Sequence, residues 1–257
     1  MSQLNDILHD FDPISLNQMD GVELLNRTDT KFVFHSKRLQ HLLTQAQQYY
    51  RVLEIQNERD FAYSTTYLDT SNFLFFNQQM SDRPKRYKVR HRIYESSGLS
   101  FLEVKCKTNN DRTMKWRIKN KFRNETLDAP ALTFLETHIS NIAYCINPVL
   151  VNKFQRITLV GIDTRERITI DYNLSFTSKE KQIVLPYLSV AELKREGYGG
   201  NSPFLYILKK MLIHKSGFSK YCVGNALLRP MPKINLLKYS LLQLKKIEYD
   251  QSVYDTI

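Results

Sequence analysis

Three cysteines in 257 residues, Cys106, Cys145 and Cys222, are odd in number and widely spaced, which argues against a disulfide framework and a tetrahedral zinc site. All three read as small core residues. The six histidines show no His-x-x-x-His or Glu-x-x-His spacing, so any metal must be held by carboxylates. No apolar run approaches the roughly 20 residues that span a bilayer. The N-terminus also lacks a basic segment followed by an apolar one. A cytoplasmic protein with no direct membrane insertion is therefore expected. Low-complexity segments, Pro/Ser-rich linkers and fixed-period repeats are missing, which points to a single domain over residues 1–257. So are the Gly-x-x-x-x-Gly-Lys-Ser/Thr loop and the Gly-x-Ser-x-Gly elbow. Gly197-Tyr-Gly-Gly200 lacks the following lysine and reads as a turn. Phosphate binding, where it occurs, falls to side chains.

What is present is positive charge and aromatic mass. A net charge of +11 and a pI near 9.4 call for anionic partners: phosphate compounds, nucleic acid or an acidic membrane surface. With 42% hydrophobic residues, 15 Tyr and 14 Phe, the chain can build a sizeable core and order throughout is expected.

Leu4, Ile7 and Leu8 share one helical face, and Asp12-Pro13 interrupts before Leu16, Met19, Val22 and Leu25, so residues Gln3 to Leu25 read as short helices. Alternation then takes over. About eight strands are expected: Lys31–Phe34, Ala62–Leu68, Arg86–Tyr94, Ser100–Lys107, Arg112–Lys119, Ile157–Gly161, Glu166–Asp171 and Val190–Arg195. Helical spacing covers His35–Tyr49, Ala129–Tyr144, 201–215 and Ile234–Glu248; the last two are read as covering helices.

Residues two apart in a strand share a face. Arg86, Lys88, Arg90 and Arg92 therefore point together, opposite Tyr87, Val89, His91 and Ile93. Glu103, Lys105 and Lys107 oppose Leu102, Val104 and Cys106; Thr113, Lys115, Arg117 and Lys119 oppose Met114, Trp116 and Ile118. Arg165, Arg167, Thr169 and Asp171 oppose Ile168 and Ile170, and Glu192 with Lys194 opposes Ala191 and Leu193. A sheet with one solvated face gives the same alternation. Its polar residues would be mixed, however, because like charges at facing positions repel. Crowded cations need an anion, and charge-assisted bonds to phosphate oxygens, roughly 1.5–3 kcal/mol each, would supply it. Tyr87 lies away from the arginines and Tyr94 joins them only at the strand end, which is a poor platform for base stacking. Glu103 and Glu192 on the same face would repel a nucleic-acid backbone unless they hold a divalent metal. Carboxylates with Mg²⁺ or Mn²⁺ beside lysines and arginines are the apparatus of phosphoryl transfer.

Taken in order, these segments resemble the VTC domain, the polyphosphate polymerase domain of the vacuolar transporter chaperone complex, one of the triphosphate tunnel metalloenzymes (CYTH-like), which also occurs as stand-alone bacterial proteins. The resemblance runs from about Pro13 to Gly224 and leaves 225–257 as a covering helix and tail. It rests on Arg27-Thr-Asp-Thr-Lys31, where Asp29 replaces the usual Glu, on Ser64 to Thr70, and on Lys88-Val-Arg-His-Arg-Ile-Tyr94. Glu103-Val-Lys105, Lys115-Trp-Arg117, Pro148 to Arg156, Arg167 to Asp171, Glu192-Leu-Lys194 and Phe218-Ser-Lys-Tyr221 complete it. Phe154 stands where the family often has Tyr.

The resemblance implies an α+β fold in which antiparallel strands close into a tunnel barrel with covering helices. It implies a bore lined by Lys31, Arg90, Arg92, Lys105 and Lys115, together with Arg117, Arg156, Arg167, Lys194 and Lys220. Arg27 would add to the phosphate grip, and Lys88 with Arg86 would sit at the mouth. Glu192, helped by Glu103, would hold Mn²⁺ or Mg²⁺. The implied activity is metal-dependent transfer of the ATP γ-phosphoryl group to a growing polyphosphate chain, with a membrane-bound partner a possible recipient. Two alternatives stay open: hydrolysis of tripolyphosphate or a nucleoside triphosphate, and a non-catalytic polyphosphate or inositol-phosphate sensor. Few acidic residues in the motifs weigh against hydrolysis.

Overall fold

The computed structural model describes residues 2–20, 27–109, 112–121, 126–196 and 201–250. Eleven strands form one sheet: β1 (Pro13–Ile14), β2 (Arg27–His35), β3 (Tyr50–Leu53), β4 (Phe61–Thr70), β5 (Arg86–Tyr94), β6 (Leu99–Lys107), β7 (Thr113–Lys119), β8 (Ile146–Gly161), β9 (Glu166–Thr177), β10 (Gln182–Leu185) and β11 (Leu188–Glu196). Eight α-helices accompany them: α1 (Ser2–His9), α2 (Leu16–Asp20), α3 (Leu39–Ala46), α4 (Leu74–Met80), α5 (Ala129–Ile139), α6 (Pro203–Lys210), α7 (Lys220–Leu228) and α8 (Lys238–Glu248). The main strand order is β2-β11-β9-β8-β4-β5-β6-β7, antiparallel throughout. The expected closed ring is not seen: among the described residues no ladder joins β7 back to β2.

Alternation decides which face each helix covers. The outward residues Ile157, Leu159, Ile168, Ile170, Ala191 and Leu193 pack under α1, α3 and α6 with Leu8, Leu42, Leu43 and Phe204. On the other wing Leu68, Val89, Leu102 and Val104 pack under α4 and α5 with Phe75, Ala131 and Leu135. Burying each such aliphatic side chain contributes roughly 1.5–3 kcal/mol. That burial holds β5 and β6 in place against the mutual repulsion of their basic faces.

α7 lies on the inward face. Tyr221, Cys222, Val223 and Leu228 pack against Val33, Tyr67, Leu150, Phe154 and Phe176, so one end of the interior is apolar and filled. A Cβ at Gly224 would come within 2.5 Å of Phe176 Cδ1 and 2.9 Å of Leu150 Cδ2, so glycine is what lets the helix sit this close. Ser219 caps α7 by accepting from the Cys222 amide at 3.4 Å.

The eight expected strands are all present, and Arg86–Tyr94 has the expected bounds. Several elements are longer or additional. β8 begins at Ile146 rather than Ile157, and β9 runs past Asp171 to Thr177. His35 ends β2 rather than opening a helix, and α3 is confined to Leu39–Ala46. Residues 140–145 form a 3₁₀ turn instead of extending α5. Cys145 is exposed, against its reading as a core residue, because it ends that turn at the surface; Cys106 and Cys222 are buried. Gly197-Tyr-Gly-Gly200 lies outside the described residues.

Candidate phosphate-binding face

Strand register places the inward side chains in rows. Lys31 of β2 is opposite Glu192 of β11, which is opposite Thr169 of β9. One step along, Asp29, Lys194 and Arg167 align. On the other wing Arg90 is opposite Glu103, itself opposite Arg117, and Lys88 is opposite Lys105, itself opposite Lys115. These wings stand at the two ends of the strand order, yet their charges meet. Lys105 of β6 lies in the field of Glu192 and Asp29, and Lys88 of β5 in that of Lys31. Only a sheet curled around its basic face brings them together.

The cations fall into two groups. One group is held by carboxylates. Glu103, 2% exposed, takes Arg90 Nε at 2.6 Å and Lys115 Nζ at 2.5 Å. Asp171, also 2% exposed, accepts both Arg156 Nε at 2.6 Å and Nη2 at 2.8 Å, and Lys220 Nζ at 2.5 Å. Glu192 pairs with Lys194. The other group has no ion pair among the described residues: Lys88, Lys105 and Arg92, the last donating from Nε to Thr65 Oγ1 at 3.2 Å. Lys31 donates to the Phe218 carbonyl at 3.1 Å.

Beneath the arginines lies an aromatic floor. Tyr63 and Phe154 stack at 5.4 Å and 6°. Arg156 stands 5.1 Å over the Tyr63 ring, and Lys220 stands 5.0 Å over Phe154. Cation–π attraction lets the guanidinium and ammonium stay charged where water is scarce.

Burial raises Glu103, but Arg90, Arg92 and Lys115 outweigh it and hold the carboxyl at about 2. Asp171 is likewise held well below the usual range, Arg156 and Lys220 overcoming its burial. The lysines go the other way. Burial lowers Lys88 to about 8; Cys222 opposes the shift, and Lys31 and Lys105 push it further down. Burial lowers Lys220 to about 8 despite Asp171, with Arg156 pushing the same way.

These directions give a pH test. Bound phosphate favours charged lysine, so it raises both values above 8. Affinity for tripolyphosphate is then greatest below pH 8 and falls as pH climbs through the window between free and bound values, binding there being accompanied by proton uptake. The empty protein responds oppositely: both lysines are charged below pH 8 at a cost that disappears as pH rises toward the unfolded value of 10.5. Calorimetry at pH 8.5 in two buffers of different ionisation enthalpy measures the uptake; constant affinity from pH 7 to 9.5 would contradict it.

Of the residues singled out from sequence, Lys31, Lys88, Arg90, Arg92, Lys105, Lys115, Arg156, Lys194, Lys220, Glu103 and Glu192 share this interior. Arg117 is on the same face but exposed, its guanidinium 4.9 Å over the Phe101 ring. Arg167 donates to the Met19 carbonyl at 3.1 Å, which ties it to the N-terminal segment. The side chain of Arg27 lies outside the described residues. Sequence reading gave no role to Asp171, which neutralises two cations, or to Asp69, whose oxygens accept from Tyr221 and from the amides of Phe75 and Phe76, each at 2.9 Å. Extending the same-face count to Tyr63 and Phe154 would have found the floor.

No cluster of three or more His, Cys, Asp or Glu gathers among the described residues. Mg²⁺ and Mn²⁺ need fewer, since they bind through one or two carboxylates plus substrate phosphates. Glu103 and Asp171 are each engaged by two cations. Glu192, whose one ion pair among the described residues is with Lys194, is the carboxylate that fits a metal arriving with phosphate.

An antiparallel sheet curled around a basic interior and backed by outer helices defines the class as the CYTH-like triphosphate-tunnel fold. The VTC domain model matches residues 26–229, and the chain belongs to that family. Among solved structures, a candidate adenylate cyclase from Bacillus halodurans is similar at 12% identity and TM-score 0.50, over 76% of this chain and 94% of that one. A candidate adenylate cyclase from Vibrio parahaemolyticus gives 13% identity and 0.47, over 78% and 99%. A candidate adenylyl cyclase from Hippeastrum with a dominant triphosphatase activity gives 10% and 0.47, over 80% and 97%. No curated protein sequence matches the chain. Among the described residues, no helix is long and apolar enough to cross a membrane.

Proposed function

We propose that this protein is a polyphosphate polymerase, transferring the γ-phosphoryl group of ATP to the end of a phosphate chain in the curled sheet's basic interior, which serves as the tunnel. The observation that carries this reading is the meeting of Lys88 and Lys105, neither in an ion pair among the described residues, with Lys31 and Glu192 from the opposite wing. Triphosphate oxygens would complete the pairing that these cations lack. Arg156, Lys220 and Arg90, held rigid by Asp171 and Glu103, would orient donor and acceptor in line and stabilise charge on the equatorial oxygens. Lys115, Lys194, Arg117, Arg167 and Arg27 would extend the grip toward the rim. A divalent ion held by Glu192 and phosphate oxygens would neutralise charge on the donor when bound.

The filled end of the interior favours a second reading, hydrolysis of a short triphosphate. With α7 packed among Val33, Tyr67 and Phe154, a long chain has no path through that end. Incubation with ATP and Mn²⁺ separates the readings. ADP with a polyphosphate ladder on a gel is the expected result; ADP with free phosphate alone would replace polymerase by hydrolase. Intact ATP with a raised melting temperature in tripolyphosphate would leave a sensor.

A further inference from the structure

A cavity of about 1270 Å³ lies outside the basic interior, bounded by α1, the Ser36–Arg38 turn with α3, the loop before β4, and the end of α6. β8 and β9 form its floor. Their alternation sends Arg156 and Asp171 inward and Gln155 and Tyr172 outward, so the cavity and the interior are separated by the thickness of the sheet.

Two features set its walls apart from ordinary surface. Six carboxamides line it: Gln3, Asn5, Gln40, Asn57, Gln155 and Asn173. Two of these hold left-handed backbone that Asn tolerates well: Asn57, φ 65°, in the two-residue hairpin turn between Ile55 and Glu58, and Asn173, φ 50°. Asn173 sits at the β8/β9 irregularity, where the register slips between Lys153 and Gln155 and turns its side chain out. The second feature is charge. Lys37, Arg38, Arg59 and Lys210 line the cavity with His9 and His41, against Glu58 and Asp60; Arg59 is paired with Glu54, and Asp60 accepts from the Tyr172 hydroxyl.

We propose that this cavity binds an adenine nucleotide at a site separate from the basic interior. Coplanar donor and acceptor of an Asn or Gln amide match the N6/N7 edge of adenine, and the lysines match its phosphates. Leu4 and Met211 supply apolar contact for the ring. The volume exceeds what one nucleotide needs.

The experiment titrates methylanthraniloyl-ADP, read by fluorescence, into the full chain held in saturating tripolyphosphate, which on the function proposed above occupies the basic interior. Saturable binding is expected to persist. Asn173→Gly keeps the left-handed backbone while deleting the amide, and Lys210→Gln removes a charge. Each is expected to weaken nucleotide binding by about tenfold, the loss of one charge-assisted or bidentate contact, with tripolyphosphate affinity unchanged. Loss of nucleotide binding in tripolyphosphate, wild-type affinity in both variants, or equal competition by ribose 5-phosphate and AMP would each overturn the proposal. None of these outcomes bears on whether polyphosphate is made.

Discussion

Asp171→Asn is expected to lower the melting temperature of the empty protein by about 10 °C, and tripolyphosphate is expected to restore most of it. Among the described residues Asp171 is the one carboxylate that contacts both Arg156 and Lys220, at 2.6 and 2.5 Å. Removing it leaves two largely buried cations without a counter-charge. Breaking such a pair costs about 3–5 kcal/mol. At this chain length each kcal/mol moves the midpoint by roughly 2–4 °C. A phosphate chain supplies the missing anion, so the ligand-induced rise should be larger in the variant than in wild type. The acid limb should change as well. The Asp171 contribution is complete above its unfolded value, near 4, and is lost as pH falls through its depressed folded value; the variant should therefore lose less stability on acidification. Differential scanning calorimetry from pH 3 to 8, with and without tripolyphosphate, measures both. A rise no larger in the variant than in wild type would show that phosphate does not reach Arg156 and Lys220.

Lys105→Ala and Arg90→Ala should part company, although both residues carry one charge on adjacent strands. Lys105 has no ion pair among the described residues and is open to solvent within the curl. Its removal ends the cost of partly desolvating the ammonium and the repulsion from Lys31 and Arg90, which together outweigh the attraction of Glu192 and Asp29, so the empty protein should be as stable as wild type or slightly more so. Tripolyphosphate affinity should drop by about 10–100-fold, the worth of one charge-assisted contact. Arg90 is engaged by Glu103. Its removal leaves that buried carboxylate to Lys115 alone and should cost about 3 kcal/mol in the empty protein, besides weakening phosphate binding. Sequence alone groups the two residues as equivalent bore cations. Thermal unfolding of the two variants side by side decides the matter; equal stability would mean that the Arg90–Glu103 pair contributes nothing.

Part of the candidate site was legible because strand alternation is a local property. Tyr87, Val89, His91 and Ile93 must oppose Lys88, Arg90 and Arg92 in any extended chain, whatever the rest of the fold does. The same rule stops at irregularities. β9 was read only to Asp171 because Asn173 flips the alternation: Arg167, Thr169 and Asp171 face inward before it, and Leu174 and Phe176 after it. The first half of β8 was lost to Pro148, beside the irregularity opposite Tyr67 and Leu68, and to the polar Asn152, Lys153 and Gln155. α7 is packed on most sides, so it carries no apolar stripe to mark it as a helix.

The sequence by itself determined that three strands carry predominantly basic faces, since charge and period 2 are written residue by residue. Tertiary structure alone decided which cations are already balanced. Glu103 lies across a strand pair from Arg90, and Asp171 reaches Lys220, 49 positions away in the chain. Electrostatic energy falls with distance in space, and sequence separation does not report that distance. Strand pairing and the packing of α7 therefore separate the cations that are already balanced from Lys88, Lys105 and Arg92, which have no ion pair among the described residues.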